Sequence, residues 1–119
     1  MIIDLQENNS PTEFNCDIAI VGGGAVGIIC AIELSRRGLD VVLLEGGGAG
    51  LEASSQDLYK GYSAGLNLTG MTAGRYRMLG GSTNFWGGQI PRLESIVFGD
   101  REWIDAPQWP LSLTELHPY

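Results

Sequence analysis

Apolar residues form two short runs in the first third of the chain, and the segment between them has helical spacing. The runs Phe14–Val21 and Asp40–Leu44 are almost continuous, and glycines follow the first. Continuous runs of this kind are typical of strands that are buried on both faces, as in a parallel sheet. The segment Val26–Arg37 ends in two arginines and is followed by Gly38, a pattern that predicts a helix with a glycine at its C-terminus.

The predicted order of strand, glycine turn, helix and strand defines a single βαβ unit. Such a connection between parallel strands is right-handed in nearly all proteins. The sequence therefore predicts an α/β fold, with the βαβ unit at residues 14–45. Residues 1–13 are polar apart from a few scattered apolar side chains, and we expect them to form a flexible N-terminal lead.

The character of the sequence changes after residue 45. Residues 46–102 hold 13 of the 18 glycines, and only Leu51–Tyr59 has the pattern of a short helix. So long a loop is unusual unless it wraps around a ligand or packs on further structure. Ser112 and Glu115 have the spacing of a helix capping box, yet only seven residues follow Ser112. We therefore expect residues 14–119 to be one partial domain of a larger protein, with a glycine-rich, ligand-wrapping segment at 46–119.

Composition narrows the classes of partner. The formal net charge is −7, with 14 acidic and 7 basic side chains, which argues against nucleic acid or an anionic membrane as the partner. The N-terminus lacks the basic and apolar regions of a signal peptide, and no apolar run is long enough to span a membrane. Cys16 and Cys30 lie in apolar segments, as buried reduced thiols do. These features predict a cytoplasmic protein without a metal site.

The first chemical motif is Gly22-Gly-Gly-Ala-Val-Gly27, which matches the dinucleotide-binding pattern G-x-G-x-x-G. It follows a predicted strand and opens a predicted helix, which is the context that the pattern requires. Gly22 would form the tight turn, Gly24 would let the backbone approach a pyrophosphate, and Gly27 would let the helix pack closely on the strand. Free N–H groups and the dipole at the helix N-terminus would then bind the phosphates. A merely tight turn is the alternative interpretation.

Glu45 completes this pattern. It follows the second predicted strand, 21 residues after Gly24. A carboxylate at that position accepts hydrogen bonds from the adenosine ribose and repels a 2′-phosphate, which favours FAD or NAD over NADP. The fold class expected is thus a Rossmann-like FAD/NAD(P)-binding unit, incomplete in this chain.

A second dense motif runs from Arg75 to Gly88, with the sequence RYRMLGGSTNFWGG. Gly80 and Gly81 could bring backbone N–H groups close to a ligand, and Ser82, Thr83 and Asn84 supply short polar groups. The aromatic side chains that follow could pack on a flat ring. Composition alone leaves open a glycine turn beside a core tryptophan.

Together the two motifs resemble the glucose–methanol–choline (GMC) family of FAD-dependent oxidoreductases. The stretches that carry the resemblance are DIAIVGGGAVGIICAIELSRRGLDVVLLEGG, RMLGGSTNFWGG and FGDREWIDAPQWPLSLTELHPY, which cover residues 16–119. The form STNFWGG is closest to the branch of sugar dehydrogenases and pyranose oxidases. The resemblance implies an enzyme that oxidises a small alcohol or sugar by passing hydride to the flavin, with an electron acceptor that the sequence does not identify.

The resemblance also assigns roles to individual residues. The first glycine motif would contact the FAD pyrophosphate, and Glu45 would contact the adenosine ribose. The second motif would extend along the cofactor toward the flavin. The predicted cofactor-binding residues are Gly22, Gly24, Ala25, Val26, Gly27, Glu45, Gly46, Gly80, Gly81, Ser82 and Asn84.

Two departures from the family pattern matter. Where part of this branch has a histidine bonded to the flavin, this chain has Phe85, so we expect FAD to be held non-covalently. The catalytic base of the family lies C-terminal to the region covered here, and His117, the only histidine, is expected to be non-catalytic. We therefore expect this fragment alone to be inactive. Two alternatives stay open: another two-dinucleotide flavoprotein dehydrogenase or hydroxylase, and a non-catalytic NAD- or FAD-binding module.

Overall fold

The computed structural model of the chain describes residues 1–7, 11–66, 70, 72–105 and 107–119. These residues form two compact units, Met1–Gly87 and Gly88–Tyr119, which are described separately. Within the described residues, no helix has the length and apolarity needed to cross a membrane. The same residues bring no three His, Cys, Asp or Glu side chains together in a group that could hold a metal ion.

The first unit is built on a parallel βαβ unit, which confirms the predicted fold class. Strand β1 is Ile18–Val21, helix α1 is Ala25–Arg36 and strand β2 is Val41–Leu44. The two strands are parallel, and Ile18 pairs with Val41 at the start of the register. The sheet has only these two strands among the described residues.

Both strands are shorter than the apolar runs that predicted them. The run Phe14–Val21 forms a strand only from Ile18, and the run Asp40–Leu44 only from Val41. Two polar residues face each other where the strands begin. The Asp40 N–H donates to the Asp17 carboxylate at 2.8 Å, and the Asp17 N–H donates to the Asp40 carbonyl at 2.9 Å. The Asp17 carboxylate thus takes the Asp40 N–H, which is then not available to a backbone carbonyl of the other strand.

Helix α1 ends as its sequence predicts. Gly38 has a φ of 88°, and its N–H donates to the Ser35 carbonyl at 3.0 Å. The Leu39 N–H donates to the Leu34 carbonyl at 3.3 Å. These two bonds form a Schellman motif, which needs a left-handed residue and therefore favours glycine at position 38. The motif turns the chain back toward β2.

The segment after β2 contains short helical pieces. Helix α2 is Ala53–Gln56 and continues into a 3₁₀ turn at Asp57–Tyr59, close to the predicted helix Leu51–Tyr59. The Ser55 hydroxyl donates to the Gly46 carbonyl at 3.1 Å, which ties α2 to the end of β2. A second 3₁₀ turn at Gly81–Phe85 begins within the second glycine motif.

Little apolar surface is buried in the first unit. Among the described residues Met78 is the one buried hydrophobic side chain, at 8% exposure. Val21 on β1 is 85% exposed and Val26 on α1 is 77% exposed. Apolar groups on the strand and on the helix are thus left uncovered, although such residues are usually buried in folded proteins.

The second unit contains a 3₁₀ turn at Ser95–Val97 and helix α3 at Leu113–Leu116. The predicted capping box is confirmed: the Ser112 N–H donates to the Glu115 carboxylate at 2.7 Å, and the Glu115 N–H donates to the Ser112 hydroxyl oxygen at 3.4 Å. The bond from the Ser112 N–H lowers the pKa of the exposed Glu115 carboxyl.

Candidate functional site

The first glycine motif forms the turn between β1 and α1. Gly22 has a φ of 105°, which favours glycine, and its N–H donates to the Leu44 carbonyl at 2.7 Å. A methyl group on Gly27 would collide with the carbonyl oxygen of Gly22. Gly24, by contrast, has open space around the position of a side chain, with no atom of the described residues within 4 Å. The loop is therefore tight on the helix side and open on the other.

The N-terminus of α1 is free to bind an anion. No side chain of the described residues caps it, and its first turn contains no acidic residue. The first N–H groups of a helix have no partner within the helix, and the helix dipole makes this end partly positive. Together with the open side of Gly24, these groups form a cradle that suits phosphate oxygens.

The Glu45 carboxylate connects the loops that follow the two strands. One carboxylate oxygen accepts the Gly23 N–H at 2.6 Å, and the other accepts the Gly47 N–H at 3.0 Å. Each oxygen keeps a further lone pair, so the half-buried carboxylate can still accept a bond from an external hydroxyl. The two backbone bonds hold the side chain beside the glycine turn in the position where the sequence predicts a ribose acceptor.

The second glycine motif packs directly on the first. The Gly80 N–H donates to the Gly23 carbonyl at 2.7 Å, and the Leu79 N–H donates to the Gly48 carbonyl at 2.9 Å. A methyl group on Gly81 would lie 3.3 Å from the Gly24 Cα atom. Two segments that are more than fifty residues apart in sequence, around Gly23 and Gly80, thus meet backbone to backbone.

The polar side chains of the second motif bond mainly to their own turn. The Ser82 hydroxyl donates to the Gly74 carbonyl at 3.0 Å. The Asn84 amide donates to the Leu79 carbonyl at 2.9 Å and to the Gly81 carbonyl at 3.0 Å. Asn84 therefore stabilises the turn around Gly80 and Gly81, where both glycines have positive φ.

A cavity of about 620 Å³ lies between the two motifs. It brings together six of the eleven predicted cofactor-binding residues: Gly22, Gly24, Glu45, Gly46, Gly81 and Ser82. The other five predicted residues, which do not line this cavity, are Ala25, Val26, Gly27, Gly80 and Asn84. Among these, Gly27 and Asn84 instead shape the turns that surround the cavity.

The cavity also has six lining residues that the sequence did not suggest: Leu5, Val21, Leu44, Tyr59, Tyr76 and Arg77. Val21 and Leu44 are the last residues of the two strands, so their position could have been found from the strand ends. Arg77 lies within the second motif, but nothing in its spacing indicates that it faces the first. Tyr59 comes from the 3₁₀ turn that follows α2.

The arrangement defines a class of site. A parallel βαβ unit has an open glycine turn, an uncapped helix N-terminus, and a carboxylate after its second strand. In α/β sheets, ligands bind at the carboxyl ends of the strands, and this combination is that of a dinucleotide-binding site.

Sequence comparison identifies the family. The FAD dependent oxidoreductase (DAO) family model matches residues 17–93, and the chain belongs to this family. The cofactor of the family is FAD. The residues present fit this cofactor, because the open side of Gly24 and the N-terminus of α1 leave room and donors for a pyrophosphate. No solved structure matches the chain significantly.

Three curated relatives are similar to the chain, over different fractions of its length. Gamma-glutamylputrescine oxidoreductase of Escherichia coli (strain K12) is 39% identical and covers 65% of this chain, with 19% of its own length aligned. Paromamine 6'-oxidase of Streptomyces fradiae is 33% identical and covers 87% of this chain, with 21% of its own length aligned. One subunit of the anaerobic glycerol-3-phosphate dehydrogenase of Haemophilus influenzae (strain ATCC 51907 / DSM 11121 / KW20 / Rd) is 43% identical over 37% of this chain and 10% of its own length. The chain thus spans about a fifth of the length of the first two relatives.

Proposed function

We propose that the chain is the FAD-binding portion of an oxidoreductase that oxidises a CH–OH group of a small alcohol or sugar. The observation that carries the proposal is the packing of the Arg75–Gly88 motif on the glycine turn at Gly22–Gly27, around one cavity. This motif contains one of the three stretches that carry the resemblance to the GMC family, and membership of that family is part of the proposal.

The extent of one alignment supports a resemblance beyond the common FAD-binding core. The similarity to paromamine 6'-oxidase covers 87% of the chain, whereas the family model ends at residue 93. Since 87% of 119 residues is about 103, this similarity continues past residue 93.

Bound FAD supplies the two-electron acceptor for hydride removal from the donor. The chain's own residues bind and orient it. The N–H groups at the start of α1 hold the phosphates, and Glu45 accepts a ribose hydroxyl with the lone pairs that Gly23 and Gly47 leave available. We propose that binding is non-covalent. Phe85 offers no nucleophile, and its ring packs against Tyr76 with 4.2 Å between centroids.

Oxidation of a CH–NH₂ group is the second candidate. Two relatives, gamma-glutamylputrescine oxidoreductase and paromamine 6'-oxidase, are named for substrates that carry amino groups, and this favours an amine donor. The name of the third, glycerol-3-phosphate dehydrogenase, favours a hydroxyl donor. The residues that contact the donor are not assigned in this chain, so the two candidates share the FAD site and differ only in substrate.

Anaerobic flavin reduction tests the proposal. The full-length protein, purified with its flavin, would be mixed with panels of alcohols, sugars and primary amines that match in size, and loss of flavin absorbance would be recorded. We expect bleaching by a hydroxyl donor. Bleaching by amines alone would establish the second candidate, and purification without any bound flavin would contradict both. The cytoplasmic location predicted from the sequence stays a proposal.

Glu45→Gln is expected to weaken FAD binding by about tenfold, the effect of losing one charge-assisted hydrogen bond. The glutamine side chain has one acceptor oxygen, so its NH₂ group would face either the Gly23 or the Gly47 N–H. Titration of the deflavinated full-length protein with FAD measures the effect. Glu52→Gln removes an exposed carboxylate outside the cavity and is the matched control. Equal affinities for the two variants would argue against a ribose-binding role for Glu45.

A further inference from the structure

Among the described residues that line the cavity there is one cation, Arg77, and it has no role in the function proposed above. Arg77 lines the cavity, and its buried Nε atom has no hydrogen-bond partner among the described residues. Neither of the two ion pairs found within those residues includes it. Arg77 is half-buried, and a buried polar nitrogen without an acceptor is costly, so such groups are normally paired. The missing hydrogen-bond partner of Arg77 therefore points to a bound ligand that carries negative charge.

The position of Arg77 is fixed by its neighbours. The Gln56 amide donates to the Arg75 carbonyl at 2.5 Å, and its oxygen accepts the Arg77 N–H at 3.1 Å. This pair of bonds holds the backbone on both sides of Tyr76 against α2. The Arg77 guanidinium carbon then lies 5.6 Å from the centroid of the Tyr59 ring, at a distance suited to a cation–π contact. The side chain is thus held by α2 and by the turn that follows it.

The guanidinium also lies beside the end of β2. A methyl group on Gly46 would collide with the Arg77 Nη2 atom. Gly46 directly follows Glu45, the predicted ribose acceptor, so the cation and the carboxylate reach the cavity from neighbouring positions. Among the described residues that line the cavity, Arg77 is the only cation and Glu45 the only acid.

We propose that Arg77 binds a phosphate of the adenosine half of FAD and that Gln56 is its positioning residue. The proposal rests on the placement of FAD in this cavity. The pyrophosphate must bind near the Glu45 carboxylate, in a protein segment whose net charge is −7, and a guanidinium supplies the positive charge that offsets this repulsion. Its planar donors match phosphate oxygens in geometry and in charge.

ADP binding to the deflavinated full-length protein tests the proposal, because ADP carries the phosphates without the flavin. Arg77→Gln is compared with Arg75→Gln, which makes the same change of charge at an exposed side chain outside the cavity. We expect Arg77→Gln to raise the Kd for ADP and for FAD by about tenfold or more, and Arg75→Gln to change it less than twofold. Arg77→Lys should recover part of the affinity, and Gln56→Ala should weaken ADP binding while Arg77 is still present.

Thermal unfolding of each flavin-free variant is the control for folding. An unfolding temperature equal to that of the wild-type protein shows that a lower affinity for ADP does not come from a loss of the fold. The proposal is overturned if Arg77→Gln and Arg75→Gln bind ADP alike, or if the loss in Arg77→Gln does not shrink at high salt, where phosphate contacts are screened. Failure of the wild-type protein to bind FAD at all would instead contradict the proposed function, so the two failures are distinguishable.

Discussion

Gly24→Val is expected to abolish FAD binding in the full-length protein while the fold is retained. Gly24 has φ −80° and ψ −176°, an extended conformation that valine adopts without strain. No described atom lies within 4 Å of the position of a Cβ atom there, so the protein itself has room for the side chain. The residue lines the cavity, however, and a branched side chain would occupy the space that a pyrophosphate needs.

The expected loss for Gly24→Val is at least about a hundredfold in affinity, or about 3 kcal/mol, since several phosphate contacts are blocked together. Flavin content after purification and the Kd for FAD measure it. Gly50→Val is the matched control, because Gly50 also has open space around it but does not line the cavity. A Gly24→Val protein that purifies with stoichiometric flavin would show that the phosphates do not bind here.

Gly27→Ala is expected to destabilise the protein even without FAD. Position 27 lies in α1, where alanine is favoured over glycine by about 1 kcal/mol. The added methyl group would collide with the Gly22 carbonyl oxygen, which is backbone and cannot swing away. Overpacking of this kind costs about 1–3 kcal/mol, and more where backbone must move, so the steric effect outweighs the helix propensity.

Thermal or denaturant unfolding of the flavin-free full-length protein checks this prediction. Gly24→Ala, which adds the same methyl group three residues earlier in open space, serves as the control and should unfold as the wild-type protein does. An increase in stability for Gly27→Ala would mean that helix propensity dominates and that α1 is not tightly packed on the turn.

The βαβ unit could be predicted because its signals are local. The glycine spacing, the apolar runs and the helix end at Gly38 each follow from rules about a few neighbouring residues, and the structure has all of them. The strand ends were predicted less well. The hydrogen bonds between Asp17 and Asp40 lie where pairing begins, and an apolar pattern does not record which polar residues face each other across two strands.

The second half of the cavity depends on contacts that are distant in sequence. Arg77 faces the end of β2 because Gln56, which is 21 residues away, holds its backbone in place. Because these residues lie outside regular strands, no periodic pattern in the sequence predicts which of them contact each other. The side chains of Ser82 and Asn84 could equally bond a ligand or their own backbone, and short polar side chains often do the latter in turns. Their residue types alone therefore did not decide their role.

The central claim is that FAD binds between the two glycine motifs, and amide hydrogen exchange of the full-length protein with and without FAD tests it most directly. Binding should slow exchange at two separate segments together, residues 22–28 at the start of α1 and residues 77–82 in the second motif. Both segments contribute residues to the lining of the cavity, and they are joined by the bond from the Gly80 N–H to the Gly23 carbonyl. Exchange that is unchanged in both segments, with protection confined to other parts of the protein, would contradict the account.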